Sequence, residues 1–123
     1  MANIFFDTNY FIRLYSGIDN VFIKAETLES NELFVSNLTY HIVAYTKKIK
    51  IPNQELTATL KAFNSLDFSY NILANSLEGP TTDLEDNIQL HSASNANCDY
   101  FLTFDKKLLK MKFFGKMRIV STI

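Results

Sequence analysis

Cysteine is nearly absent from this chain: Cys98 stands alone. A single thiol forms no intramolecular disulfide and builds no thiolate metal site within one chain, and it points to a reducing, cytoplasmic setting. Three glycines and two prolines in 123 residues argue against a turn-dense all-β sandwich. No apolar run approaches the roughly 20 residues of a membrane-spanning helix, so no membrane partner is expected. The N-terminus lacks a basic flank followed by an apolar core, so it does not read as a signal peptide. Net charge is missing as well: it is −1, so the global field selects no partner.

Apolar material is plentiful. Hydrophobic residues make up 47% of the chain, with 11 Phe and 6 Tyr, which excludes disorder and fills one core. The length fits a single domain over residues 1–123. Charge is also unevenly placed. Lys106, Lys107, Lys110, Lys112, Lys116 and Arg118 follow one another without an intervening acid, directly after a segment that holds Glu78, Asp83, Glu85 and Asp86.

Hydrophobic spacing gives strands at 3–6, 33–35, 66–68, 100–103 and 118–120. It gives helices at 9–15, 21–29, 37–48, 56–63, 71–77, 82–95 and 106–111, with breaks at Ser16-Gly17, Ile51-Pro52 and Gly79-Pro80. Strands that alternate with helices predict an α/β domain, with a parallel sheet of about four to five strands covered on both faces.

The opening stretch NIFFDTNYF raises the functional question. An apolar strand, Ile4-Phe5-Phe6, ends abruptly in Asp7. Asp105 follows the strand at 100–103 by one residue. Ligands of open parallel sheets bind beyond the carboxyl ends of the strands, so both carboxylates fall on one rim if their strands are parallel. A third acidic group lies in TTDLEDNIQLHSA. There Thr82 and Glu85 have capping-box spacing, with Thr82 as the expected N-cap. Asp83 and Asp86 share a helix face, and Asp86 borders the packed side. Converging carboxylates repel one another unless a cation joins them, and oxygen-only donors select Mg²⁺ or Mn²⁺. Such a cation suits phosphate chemistry. Each acid also has a plainer role: Asp7, Asp83, Glu85 and Asp105 all stand where helix caps and dipole-complementing acids are common. Their joint placement favours the functional reading.

In this order, the segments resemble the PIN-domain family of metal-dependent ribonucleases, which includes VapC-like toxins of toxin–antitoxin pairs. IFFDTNYFIRLY is similar to the family's first strand with its Asp-Thr-Asn. LFVSNLTYHIVAY is similar to its second strand and Ser-bearing helix. DLEDNIQLHSASNANCDYFLTFDKKL is similar to the later acidic helix and the strand that ends in Thr-x-Asp. The resemblance implies metal-binding, catalytic carboxylates at Asp7, Asp86 and Asp105. Asn9, Ser36, Thr103 and Asp83 would support them, with Mg²⁺ or Mn²⁺ as cofactor. It further implies RNA as substrate, a cognate antitoxin protein, and a homodimer.

One position departs from the pattern. Most active members carry a Glu where this chain has Ile42, beside His41. A non-catalytic module of the same fold, binding RNA or a protein, is the alternative that this loss opens. His91 and lone His41 read as structural or surface residues, and the phenylalanines as core. Lys106, Lys107, Lys110 and Lys112 are candidates for holding the RNA backbone, set against the plainer reading of a solvated basic surface. A phosphoaspartyl enzyme is a third reading and fits poorly, because no second acid neighbours Asp7.

Overall fold

A computed structural model describes residues 1–16 and 24–123. Along the chain run β1 (Asn3–Phe6), α1 (Thr8–Tyr15), α2 (Ala25–Ser30), β2 (Glu32–Ser36), α3 (Asn37–Thr46), α4 (Gln54–Ala62) and β3 (Asn64–Leu66). They are followed by α5 (Tyr70–Glu78), α6 (Leu84–Asn95), β4 (Tyr100–Leu102), α7 (Lys106–Met111), β5 (Phe113–Phe114) and β6 (Met117–Val120). The start of the helix expected at 21–29 lies outside the described residues.

The sheet order is β3-β2-β1-β4-β6-β5. β1 pairs in parallel with β2 and β4, β2 with β3, and β4 with β6. Parallel neighbours need crossovers, and the helices supply them. The sheet is therefore the expected α/β arrangement with one strand more. That strand, β5, runs antiparallel to β6 through a two-residue turn in which Gly115 takes φ 62°, a value that glycine adopts without steric cost. Two residues are too short to show a strand period, so β5 was invisible to spacing. β3 starts two residues earlier than expected. Buried Phe63, edge-on to Phe6 at 5.2 Å and to Phe11 at 5.3 Å, anchors the chain just before it.

β1 is central and its side chains feed two cores. Ile4 and Phe6 face one cluster with Tyr10, Phe11, Val35, Val43 and Phe63. Phe5 faces the other, with Leu90, Ala93, Phe101, Leu108 and Ile119. Ile4, Phe5 and Phe6 have no exposed surface. That explains the unbroken apolar run: a strand buried on both faces has no polar side. Cys98 is buried in the second core, and burial pushes its thiol up to about 12, so it stays a protonated, unreactive packing residue.

The expected cap of α6 is corrected. Asp83, not Thr82, is the N-cap, and its side chain accepts from the Asp86 amide at 3.0 Å. Thr81 leads into it, donating from Oγ1 to Asn87 Oδ1 at 2.6 Å and accepting from the Asp83 amide at 3.1 Å. Asp86 therefore occupies the last position of the first turn.

Phe101 stacks on Phe5 with ring centres 5.3 Å apart. Phe101→Ala is expected to destabilise the fold by about 3–5 kcal/mol, read from urea unfolding. A loss below about 1 kcal/mol would contradict this central packing.

Candidate active site

Asp7 and Thr103 are neighbours because β1 and β4 are in register. Phe6 pairs with Leu102, so the next residues on each strand stand side by side, and the Asp7 amide still donates to Leu102 O at 2.9 Å. Thr103 Oγ1 donates to Asp7 Oδ2 at 2.7 Å. Asn9 Nδ2 reaches the same oxygen at 3.3 Å and Thr103 Oγ1 at 3.4 Å. Asn9 Oδ1 accepts from the Phe104 amide at 3.2 Å, and Thr103 Oγ1 accepts from the Asp105 amide at 3.0 Å. The Asp-Thr-Asn after β1 and the Thr-Phe-Asp after β4 are thus stapled into one floor.

The plain capping roles are real. Asp7 Oδ1 accepts from the Thr8 amide at 2.9 Å at the start of α1, and Asp105 Oδ1 accepts from the Lys107 and Leu108 amides at the start of α7. Capping alone does not account for Asp7. It is 2% exposed, and a Ser or Asn would cap equally well without carrying a charge out of water. Burial pushes its carboxyl up to about 6, the Thr103 and Thr8 hydrogen bonds oppose that, and the charges of Glu85 and Asp105 add to it. Asp86 is half-buried and lies higher still, at about 7, through burial and then the charges of Asp83, Asp7, Asp105 and Glu85. The acids feel one another across a shared space.

Above the floor lies an open groove of about 530 Å³, lined by Thr81, Thr82, Asp83, Asp86, Asp105, Lys106, Lys107 and Leu108. Asp83, Asp86 and Asp105 line this space, and buried Asp7 is near enough for its charge to act on Asp86. Among the described residues, no three His, Cys, Asp or Glu side chains are gathered into a ready metal cage. Their donors are all hard oxygens, the type that suits Mg²⁺ or Mn²⁺, and the raised carboxyls of Asp7 and Asp86 register the negative charge gathered there.

The structure separates the remaining candidates. Ser36 ends β2 and caps α3 through the Thr39 amide at 3.3 Å. It has no exposed surface, donates to Gln89 Oε1 at 2.6 Å and does not line the groove. Asp83 is exposed and acts as a cap. Lys106 and Lys107 line the groove, whereas Lys110 and Lys112 lie further along and just past α7. His41 is exposed on α3 and Ile42 is half-buried. His91 bonds Gly79 O at 2.9 Å and meets Phe114 edge-on.

Sequence reasoning missed Gln89, Thr8 and Thr39. It also gave Glu85 no part in the site, although its charge reaches both Asp7 and Asp86. The signal for Gln89 was faint. α6 buries Asn87, Ile88, Gln89, Leu90, Ser92 and Ala93, so the helix shows no clean polar face against which a buried polar residue would stand out.

The raised carboxyls fix the sign of a pH effect. Below the ordinary value of 3.8, Asp7 is protonated in both states and folding carries no ionisation cost. From there to about 6 the unfolded chain gives up its proton while the folded chain keeps it, so stability falls as pH rises. Asp86 acts with the same sign up to about 7. Without divalent cation, Asp7→Asn is expected to flatten the fall in stability between pH 4 and 7.5, by on the order of 1–3 kcal/mol. Urea unfolding at the two pH values measures it, and an equally steep fall in the variant would refute the burial cost.

The same architecture occurs in solved structures. Rickettsia felis VapBC2 bound to a DNA fragment from its promoter aligns with TM-score 0.66 at 16% identity, covering 96% of this chain and 97% of that one. A toxin–antitoxin complex from Klebsiella pneumoniae aligns at 0.65 and 26% identity, covering 85% and 88%. Mycobacterium tuberculosis VapC20, a sarcin–ricin loop cleaving toxin, aligns at 0.59 and 13%, covering 94% and 98%. No curated protein matches the chain. The sequence pattern of the PIN domain, however, matches residues 4–114, a span that runs from the strand bearing Asp7 through the groove to β5; the chain belongs to the PIN-domain family.

Proposed function

We propose that the protein is a metal-dependent endoribonuclease, and the toxin of a toxin–antitoxin pair. The observation that carries this is the buried Asp7, held by Thr103 and Asn9 and coupled in charge to Asp86 and Asp105, which share a groove with two lysines. Asp7, Asp86 and Asp105 would hold a Mg²⁺ or Mn²⁺ ion. Bound there, such an ion neutralises phosphate charge and eases deprotonation of the attacking water.

The chain's own residues do the rest. Thr103 and Asn9 fix the Asp7 carboxylate, and the Asp105 amide bonded to Thr103 places the second acid relative to the first. Lys106 and Lys107 stand on the groove wall beside Asp105, where they hold backbone phosphates of a single strand. A protein partner that covers the groove would silence the enzyme. The similarity to VapBC2 and to the Klebsiella pneumoniae toxin–antitoxin complex supports such an antitoxin, and a homodimer is proposed with it.

Ile42 favours a second reading. No carboxylate enters the site from α3, and a non-catalytic module that binds RNA or a protein would keep every hydrogen bond described above.

Cleavage of a mixed cellular RNA pool with Mn²⁺ decides between them. The unaltered chain is expected to cut. Asp7→Asn, Asp86→Asn and Asp105→Asn should each lose at least about a hundredfold in rate, more than the 10- to 100-fold typical of residues behind the metal ligands, with circular dichroism showing folded protein. Cleavage that persists in all three variants would sink the assignment. No cleavage by the unaltered chain, together with no Mn²⁺ binding, would favour the non-catalytic module. Lys106→Ala with Lys107→Ala should weaken RNA binding across sequences. The pair should also lower the slope of log affinity against log salt by about 1.4, since each contact with single-stranded phosphate contributes about 0.7. An unchanged slope would remove the lysines from the RNA path.

A further inference from the structure

We infer that Gln89 is the positioning residue of this site, a single buried amide that locks the acid-bearing helix α6 to the strand end that carries Asp7. The inference rests on the metal-dependent reading of the groove. Gln89 has no exposed surface. Its Nε2 donates to Thr8 Oγ1 at 2.7 Å and to Thr39 Oγ1 at 2.9 Å, and its Oε1 accepts from Ser36 Oγ at 2.6 Å. Thr8 and Thr39 hydroxyls lie 3.2 Å apart, and those of Ser36 and Thr39 3.4 Å. Both amide protons and the amide oxygen are used, so the network closes on itself away from water.

Each partner belongs to a different part of the site. Thr8 opens α1 and is the residue whose amide caps onto Asp7. Ser36 ends β2, and Thr39 lies in the first turn of α3. Gln89 itself lies three residues after Asp86, so the two share a face of α6. The amide therefore connects Asp86, through α6, to Thr8 beside Asp7. A buried leucine would fill the same space, yet apolar packing is non-directional and leaves the helix free to slide and turn by fractions of an ångström. Hydrogen bonds fix both distance and angle, and metal-ligating carboxylates work only within about 0.5 Å of their required positions. With Ile42 in place of a carboxylate, this network is how the start of α3 is coupled to the site.

The test compares the unaltered chain with Gln89→Met, which keeps length and apolar volume, and with Ser36→Ala, which removes the bond to Gln89 together with the Thr39 contact and the α3 cap and carries the test if Gln89→Met does not fold. Mn²⁺ affinity by calorimetry, RNA cleavage per folded molecule and thermal midpoint are read on each. Gln89→Met is expected to weaken Mn²⁺ binding by roughly 10- to 100-fold, the range for residues that orient metal ligands, and to raise the Mn²⁺ concentration for half-maximal cleavage in step. Ser36→Ala should fall between the two. A lowered thermal midpoint with Mn²⁺ affinity unchanged would show a merely structural amide and overturn the inference alone. Weakened Mn²⁺ binding in the variants, with no cleavage by the unaltered chain, would uphold the inference and sink the ribonuclease reading. No Mn²⁺ binding by the unaltered chain would overturn both.

Discussion

A carboxylate carried to the end of a central strand and 2% exposed must be fed by hydrogen bonds, neutralised by a proton, or met by a cation. Asp7 receives three hydrogen bonds, from the Thr8 amide, Thr103 and Asn9, and its carboxyl is still pushed up to about 6. The rest of the site follows from this imbalance. The register of β1 against β4 brings Thr103 alongside. The crossover that returns α6 to the sheet brings Asp86, and the turn after β4 brings Asp105. Every further acid worsens the repulsion, so the arrangement gains from positive charge arriving from solution.

Natural chains tolerate such costs at functional sites and offset them elsewhere. Here the offset is visible in two places. Two apolar cores pack on the two faces of the sheet, with Ile4 and Phe6 fully buried in one and Phe5 in the other. The polar network of Gln89, Ser36, Thr8 and Thr39 is fully paired, which is the condition under which buried polar groups specify geometry instead of weakening the fold. The strain of gathered carboxylates is thus carried by a frame that is rigid on both sides of the sheet.

Much of this was legible in the sequence for definite physical reasons. β1 declared itself as a short apolar run stopped by Asp-Thr-Asn, and although either acid alone could be only a cap, the Thr-Phe-Asp after β4 repeats the pattern at a second strand end. Helices α3 and α6 followed from hydrophobic spacing. What was hidden required the third dimension. The α6 cap moved from Thr82 to Asp83 because Thr81 bonds to Asn87 instead of leaving the turn to Thr82. β5 was too short to show a period. Gln89 lay within a helix buried nearly all round, where polar and apolar residues are interleaved without a stripe. Ser36 was identified as a polar supporting residue, but its partner, 53 positions away, could not be named from a single chain.

The proposed activity depends on Asp7, Asp86 and Asp105 together holding a divalent cation at the carboxyl ends of β1 and β4. Diffraction from crystals grown with Mn²⁺, recorded to give its anomalous signal, tests this most directly. The account predicts a peak coordinated by Asp7 and at least one of Asp86 and Asp105, with Thr103 and Asn9 still bonded to Asp7. No peak at that place under saturating Mn²⁺, or a peak held by other residues, would contradict it.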